Sequence, residues 1–230
     1  MNEPLDEIAV RVLGALMEKE LVTPDNYPLT LNALVAACNQ TSSRDPVMSL
    51  DEETVRRALE RLSKRSLARG IHRGARAMRY REEMGERLHL HRPELAALSV
   101  LLLRGAQTAG EIRTRTARAF EFVDPSHVEI TLDSLAALDP PLVTALPKRP
   151  GQKDVRYMHL LAGPPSEDAP TEEASPRAGP RPQEGTPGRT PAPTSSTTDR
   201  VEALEQEVGA LREEVAELRA ELHAFREQFE

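Results

Sequence analysis

The apolar positions fall into three regimes along the chain, each predicting a different kind of structure. In the first, Leu5, Ile8, Val12 and Leu16 recur at three- and four-residue intervals, which puts them on one face of a helix. Thr23-Pro24-Asp25-Asn26 ends that helix, because proline and the Asx residues favour turns. A short second helix follows, with Leu31, Leu34, Val35 and Cys38 on its apolar side and Thr30 as N-cap. A third helix is predicted to open on a capping box, Ser49 with Glu52, and to bury Val55, Leu59, Leu62 and Ser66. Two strands, Ile71-His72-Arg73 and Met78-Arg79-Tyr80-Arg81, then flank the tip Gly74-Ala75-Arg76. Three helices and a hairpin is the order of a winged helix-turn-helix.

The same order recurs. Leu95, Leu98 and Leu102 begin a helix stopped near Gly105, and Thr108 caps a second that runs through Ile112 to Phe120. In a third helix, Ser126 to Leu138, the residues Val128, Leu132 and Leu135 repeat the spacing of Val55, Leu59 and Leu62. Strands Leu142 to Leu146 and Val155 to His159 bracket the turn Pro150-Gly151-Gln152-Lys153, and Arg156-Tyr157 mirrors Arg79-Tyr80. Agreement in both order and spacing argues for a duplication. The expected fold class is mainly α with small β-hairpins (α+β), as two tandem winged helix-turn-helix domains over residues 1–85 and 86–163.

In the second regime, residues 164–198, large apolar side chains almost vanish and Pro, Ser, Thr and Gly dominate. Such a segment cannot bury enough surface to offset its ordering entropy, which predicts a disordered tether. The third regime, residues 199–230, restores periodicity in heptads. Val201, Leu204, Val208, Leu211, Val215, Leu218, Leu222, Phe225 and Phe229 form an unbroken a/d seam. The flanking g and e pairs Arg200–Glu205, Glu207–Arg212, Glu214–Arg219 and Glu221–Arg226 are all opposite in sign for a parallel pairing. An antiparallel pairing would set mostly Glu on Glu and Arg on Arg. The expectation is a parallel coiled-coil homodimer, the alternative being a lone amphipathic helix folded back on the body.

Charge alters this picture in one place. The formal net charge is -7, but residues 199–230 contribute -6 and residues 1–163 sum to +1. Within the body, Arg56 to Arg81 holds ten basic residues and a single acid, Glu60. If Val55, Leu59 and Leu62 face inward, Arg57, Arg61 and Lys64 project from the other side of the third helix, and Arg79 and Arg81 share one face of the second strand. A winged helix places that helix in the major groove and the hairpin against phosphates, so Arg56, Arg57, Arg61, Lys64, Arg65, Arg73, Arg76, Arg79 and Arg81 are the candidate DNA-binding residues. The second unit differs. Its third helix carries Glu129 and Asp133 without Lys or Arg, while Arg113, Arg115, Arg118, Lys148, Arg149 and Lys153 lie on the preceding helix and wing tip, so this unit is expected to make protein contacts or flanking backbone contacts and not to read bases.

Other chemistries find little footing. The one cysteine, Cys38, lies in an apolar run and reads as a small buried hydrophobe. His89-Leu90-His91 alternates as in an extended segment and has no further ligand at metal spacing. Asn32, Asn39 and Gln40 read first as residues that satisfy backbone groups around a turn, with contact to a DNA backbone as the second reading. No nucleotide-binding or nucleophile-elbow signature occurs, so neither an enzyme nor a cofactor is expected. No stretch reaches the ~20 apolar residues of a bilayer span, and the N-terminus lacks a signal-peptide layout, so a cytoplasmic protein is expected.

Three segments carry a family resemblance: TPDNYPLTLNALVAACNQ (Thr23 to Gln40) with Ser43-Arg44-Asp45-Pro46-Val47, LLLRGAQTAGEIRTRT (Leu101 to Thr116), and LPKRPGQKDVRYMHLL (Leu146 to Leu161). In these the sequence resembles the YceH-like bacterial proteins. The resemblance implies a tandem winged-helix fold and, because that family has no assigned activity, no catalytic residues. Ala106 and Ala109 stand where the family would have prolines, a departure confined to the start of one helix. The functional expectation is therefore a non-enzymatic DNA-binding protein of the transcriptional-regulator type, with a protein-binding adaptor as the alternative. Sedimentation analysis of the full chain is expected to show a dimer at micromolar concentration; a monomer there would discard the coiled-coil pairing.

Overall fold

The computed structural model describes residues 4–72, 78–148 and 151–164. Helix α1 (Glu7–Val22) starts where the Asp6 carboxylate accepts the Ala9 amide at 2.8 Å. Of the predicted stripe, Leu5, Val12 and Leu16 are buried and Ile8 is half-buried against the core, while Ala9, Val10, Leu13, Ala15 and Met17 are buried too. A helix that is apolar nearly all round must be covered on several sides. Two helices supply most of this cover, α3 (Glu52–Lys64) of the first repeat and α5 (Arg92–Arg104) of the second.

The first repeat runs α1, a 3-10 turn at Pro24–Asn26, β1 (Leu29–Thr30), α2 (Leu31–Cys38), α3, β2 (Ala68–Ile71) and β3 (Arg79–Glu82). After the short α4 (Met84–Leu88), the second runs α5, β4 (Gln107–Thr108), α6 (Ala109–Thr116), α7 (Pro125–Ala136), β5 (Val143–Ala145) and β6 (Arg156–His159). Each repeat has one antiparallel sheet with its last strand central, β1-β3-β2 and β4-β6-β5. The chain is thus a mixed α/β protein with small antiparallel sheets, and its helix-and-hairpin order is duplicated as the spacing predicts. The registers agree in detail: Leu29 and Thr30 face Tyr80 and Arg79, as Gln107 and Thr108 face Tyr157 and Arg156. Both threonines cap the following helix, Thr30 accepting from Ala33 at 3.3 Å and Thr108 from Glu111 at 3.2 Å.

Several local expectations change. Helix α3 is capped by Asp51, whose carboxylate accepts the Thr54 amide at 2.7 Å, and not by Ser49. An aspartate there also complements the helix dipole. Ser66 is exposed and lies in the left-handed region at φ 55°, while the Leu67 amide reaches the Leu62 carbonyl at 2.9 Å. That is a Schellman closure, and it buries Leu67 in place of Ser66. β2 begins earlier than expected, at Ala68, so only Ile71 of the predicted strand belongs to it. Helix α6 stops at Thr116, short of Phe120, because the chain turns there and the Phe120 ring packs edge-on against Phe122 at 4.8 Å. His89 and His91 are not in an extended segment: His89 closes α4 at φ 54° and His91 precedes α5. The tip residues 73–77, the turn residues 149–150, the tether and the heptad segment lie outside the described residues.

The repeats share one hydrophobic core, in which Leu13 and Leu16 join Leu98 and Leu101. The approach is tightest at Gly14, where a Cβ would lie 2.9 Å from Leu102 Cβ and 3.0 Å from Leu103 Cγ. The end of the second repeat also returns to the start of the first, the Leu5 amide donating to the Leu161 carbonyl at 2.7 Å. Loop residue Asp45 is tied likewise, its amide donating to the Leu103 carbonyl at 2.9 Å.

The central strands hold a second pair of equivalent positions, Glu82 facing Ala68 and His159 facing Val143. Both are buried, at 2% and 5% exposure, so both are pushed toward their neutral forms. Burial, with the Glu20 carboxyl alongside, raises Glu82 to about 7, and burial lowers His159 to about 4. Glu82 also accepts the Gly85 amide at 2.8 Å.

Alanine at Gly14 should gain about 1 kcal/mol of helix propensity but lose about 1–3 kcal/mol to overpacking against the fixed Leu102 Cβ. Chemical denaturation is therefore expected to show Gly14→Ala destabilised and Gly14→Val more so; a stabilised alanine variant would contradict the close approach. For Glu82, a folded value above the unfolded 4.5 means that the native state binds the extra proton, so stability falls as pH rises from 4.5 to about 7. The melting temperature of Glu82→Gln relative to the parent should therefore climb between about pH 5 and about pH 8. His159 acts in the opposite sense, costing stability as pH falls from 6.5 to about 4, and cancels in that comparison.

Candidate nucleic-acid interface

Helix α3 is oriented by its apolar stripe: Val55, Ala58 and Leu62 are at 0% exposure and Leu59 at 2%. The opposite face therefore meets solvent, and it carries Arg56, Arg57, Arg61 and Lys64. Folding gives most of these cations carboxylate partners. Arg56 pairs with Glu52 and, at 2.7 Å, with Glu53; Arg57 Nε donates to Glu53 Oε1 at 2.9 Å. Arg61 reaches Asp6 of the α1 N-cap at 3.0 Å. Lys64 is exposed and makes no ion pair among the described residues. Arg65 caps α3 at its C-terminal end, and its carbonyl accepts from Arg87 at 2.6 Å.

The hairpin cations are paired in the same way. Arg69 on β2 reaches Glu83 at 3.0 Å. Arg81 on β3 pairs with Glu86 at 2.6 Å and Glu83 at 3.5 Å. Arg79 turns away from the solvent to donate to the Pro28 carbonyl at 2.7 Å. Its repeat equivalent does the same, Arg156 donating to the Ala106 carbonyl at 2.8 Å. Each arginine thus satisfies a carbonyl two residues ahead of the capping threonine, Thr30 or Thr108. A role shared by both repeats is structural, which accounts for the Arg-Tyr pair in each strand. Arg73 and Arg76 lie outside the described residues.

In the second repeat, α7 presents Glu129 and Asp133 outward together with Ile130, which is 66% exposed. Arg113 donates to the Phe122 carbonyl at 3.2 Å, Arg115 pairs with Glu111 at 3.3 Å, and Arg118 is exposed. Lys148 donates to the Lys153 carbonyl at 3.1 Å, and Arg149 lies outside the described residues.

Three charged residues outside the predicted set are central to the fold. Arg44 has a fully buried side chain, gripping Glu18 at 2.6 and 3.0 Å and the Ala37 carbonyl at 2.9 Å. Arg11, 2% exposed, donates to the carbonyls of Cys38 at 3.3 Å and Pro46 at 2.6 Å. An arginine set between Val10 and Val12 in an otherwise apolar stretch, Ile8 to Leu13, was the signal available in the sequence. Asn39 behaves as expected, bonding both backbone groups of Leu50 at 2.8 Å. Cys38 is buried, and burial pushes its thiol up to about 12. Among the described residues no cluster of three His, Cys, Asp or Glu could hold a metal, and no helix is long and apolar enough to cross a membrane.

The molecule is thus defined as a mixed α/β protein in which a helix-and-hairpin unit is duplicated about one core. The chain belongs to the family described as "Protein of unknown function, DUF480", which matches residues 5–152. Among similar proteins, a UPF0502 protein of Geobacter metallireducens is 50% identical over 230 residues, covering 100% of both chains. Another from Geobacter sulfurreducens is 49% identical over 226 residues, 98% of each chain, and one from Herminiimonas arsenicoxydans is 44% identical over 98% of this chain and 90% of that one. The resemblance drawn from the Thr23–Gln40 and Leu101–Thr116 segments, both inside the matched region, is borne out at the level of an uncharacterised bacterial family.

Proposed function

We propose that the protein is a non-enzymatic, winged-helix DNA-binding protein of the regulator type that works in the cytoplasm as a coiled-coil dimer. The observation that carries the reading is the outward face of α3, where Arg56, Arg57, Arg61 and Lys64 stand opposite a fully buried stripe. The carboxylates beside them do not disqualify that face. Exposed i,i+4 pairs contribute about 0.3–0.5 kcal/mol each, and a phosphate offers an arginine stronger, charge-assisted hydrogen bonds. Lys64, and Arg57 with a side chain 68% exposed, are the residues most ready to make the exchange. Arg56, Arg61, Arg65 and Arg81 are secondary contacts under this reading, together with the tip arginines Arg73 and Arg76. Arg79 is removed from the set because its guanidinium serves the Pro28 carbonyl.

A second reading, a protein-binding adaptor, has its own support in the second repeat. There Ile130 at 66% and Val123 at 76% exposure stand near Glu129 and Asp133, a surface suited to an apolar and basic partner and unsuited to phosphate.

Fluorescence anisotropy with duplex DNA separates the two. The double variant Arg57→Glu, Lys64→Glu is expected to lower affinity at low salt about tenfold or more and to flatten the log-log salt dependence by about 0.9 for each phosphate whose neutralisation is abolished. Arg79→Met should cost stability and leave the affinity of the folded protein in place. Unchanged binding by the double variant would turn the assignment toward the adaptor.

A further inference from the structure

A cleft of about 160 Å³ lies between α1, the segment 40–43, α5 and α6. Four cations line it: Lys19, Arg104, Arg115 and Arg118. The one carboxylate in its wall, Glu18, is already gripped by the buried Arg44 guanidinium through two hydrogen bonds at 2.6 and 3.0 Å. The cleft is therefore left with an excess of positive charge facing a partly enclosed space, where screening by water is weakened.

Arg104 is the telling residue. It is half-buried, yet its guanidinium has no hydrogen bond or ion pair among the described residues. Burial first, and then the neighbouring Arg115, push it below its ordinary value, against a smaller opposing pull from Asp45, so the cation is partly desolvated and has a like charge beside it. Arginines held in that way are ordinarily paired. Arg118, exposed on the rim, is likewise unpaired among the described residues, whereas Arg115 reaches Glu111 at 3.3 Å and Lys19 reaches Glu18 and Gln40 at 3.3 Å. Two hydroxyls in the wall, Ser42 and Ser43, have no side-chain hydrogen bond among the described residues.

We propose that this cleft binds the phosphate group of a small molecule, with Arg104 and Arg118 as its principal ligands and Ser42 and Ser43 as hydroxyl donors. Planar guanidinium forks match phosphate oxygens, and two arginines with flanking hydroxyls suit a dianion better than a carboxylate. The volume admits a single phosphate group. Because α1 belongs to the first repeat and α5 and α6 to the second, a bound anion would bridge the repeats. The inference does not depend on DNA binding by α3, from which the cleft's residues are separate.

The test is calorimetric titration of the full chain with inorganic phosphate and with glycerol phosphate, at ionic strength held constant with chloride. Saturable binding of either is expected, with the preferred probe reporting whether free phosphate or an ester is the natural form. Arg104→Gln should weaken it about tenfold or more; Arg118→Gln, an exposed position, should weaken it too and keeps the test decisive if the first variant folds poorly. Absence of saturable binding by both probes, or equal binding by the two cleft variants and the parent, overturns the proposal. So does displacement of phosphate by a duplex oligonucleotide, which would make the cleft part of a DNA surface.

Discussion

Everything else in the body depends on the approach of α1 to α5. Each repeat alone is a small set of helices with a narrow sheet, too little to enclose a helix that is apolar on every side. Joining them across Gly14, where Leu102 and Leu103 fill the space of a missing Cβ, solves that problem for α1 and α5 together. It also positions the loop after α2, since Asp45 bonds the Leu103 carbonyl and Arg11 and Arg44 fix the carbonyls on either side of it. The cleft bounded by α1, α5 and α6 exists only because of that junction.

Duplication gave two frames with the same supports and different chemistry. Thr30 and Thr108, Tyr80 and Tyr157, and Arg79 and Arg156 keep equivalent places because the central strand must be anchored to the helix cap in each repeat. Where no such duty applies the repeats have parted. The third helix is cationic in one and acidic with an exposed isoleucine in the other, and the last core position of the central strand is Glu82 in one and His159 in the other. The two repeats therefore present different surface chemistry on equivalent frames.

The basic stretch shows how linear charge counting misleads. Between Arg56 and Arg81 only Glu60 opposes ten cations, but Asp6, Glu52, Glu53, Glu83 and Glu86 come from outside that window to pair with five of them. The four glutamates lie just beyond its two ends and could have been counted. Asp6 could not, since only the packing of α1 on α3 brings it to Arg61.

The order of elements, the duplication, the apolar stripes and most turns were legible in the sequence, because these rest on local periodicity and on residues such as Thr30, Thr108 and Gly105 whose preferences are intrinsic. The sequence also carried the family. It took the packed fold to bury α1 on nearly all sides, to turn Arg79 to a carbonyl, and to leave Arg104 half-buried without a partner among the described residues. These are outcomes of packing between residues tens of positions apart, and no local pattern records which charges the fold will neutralise and which it will strand.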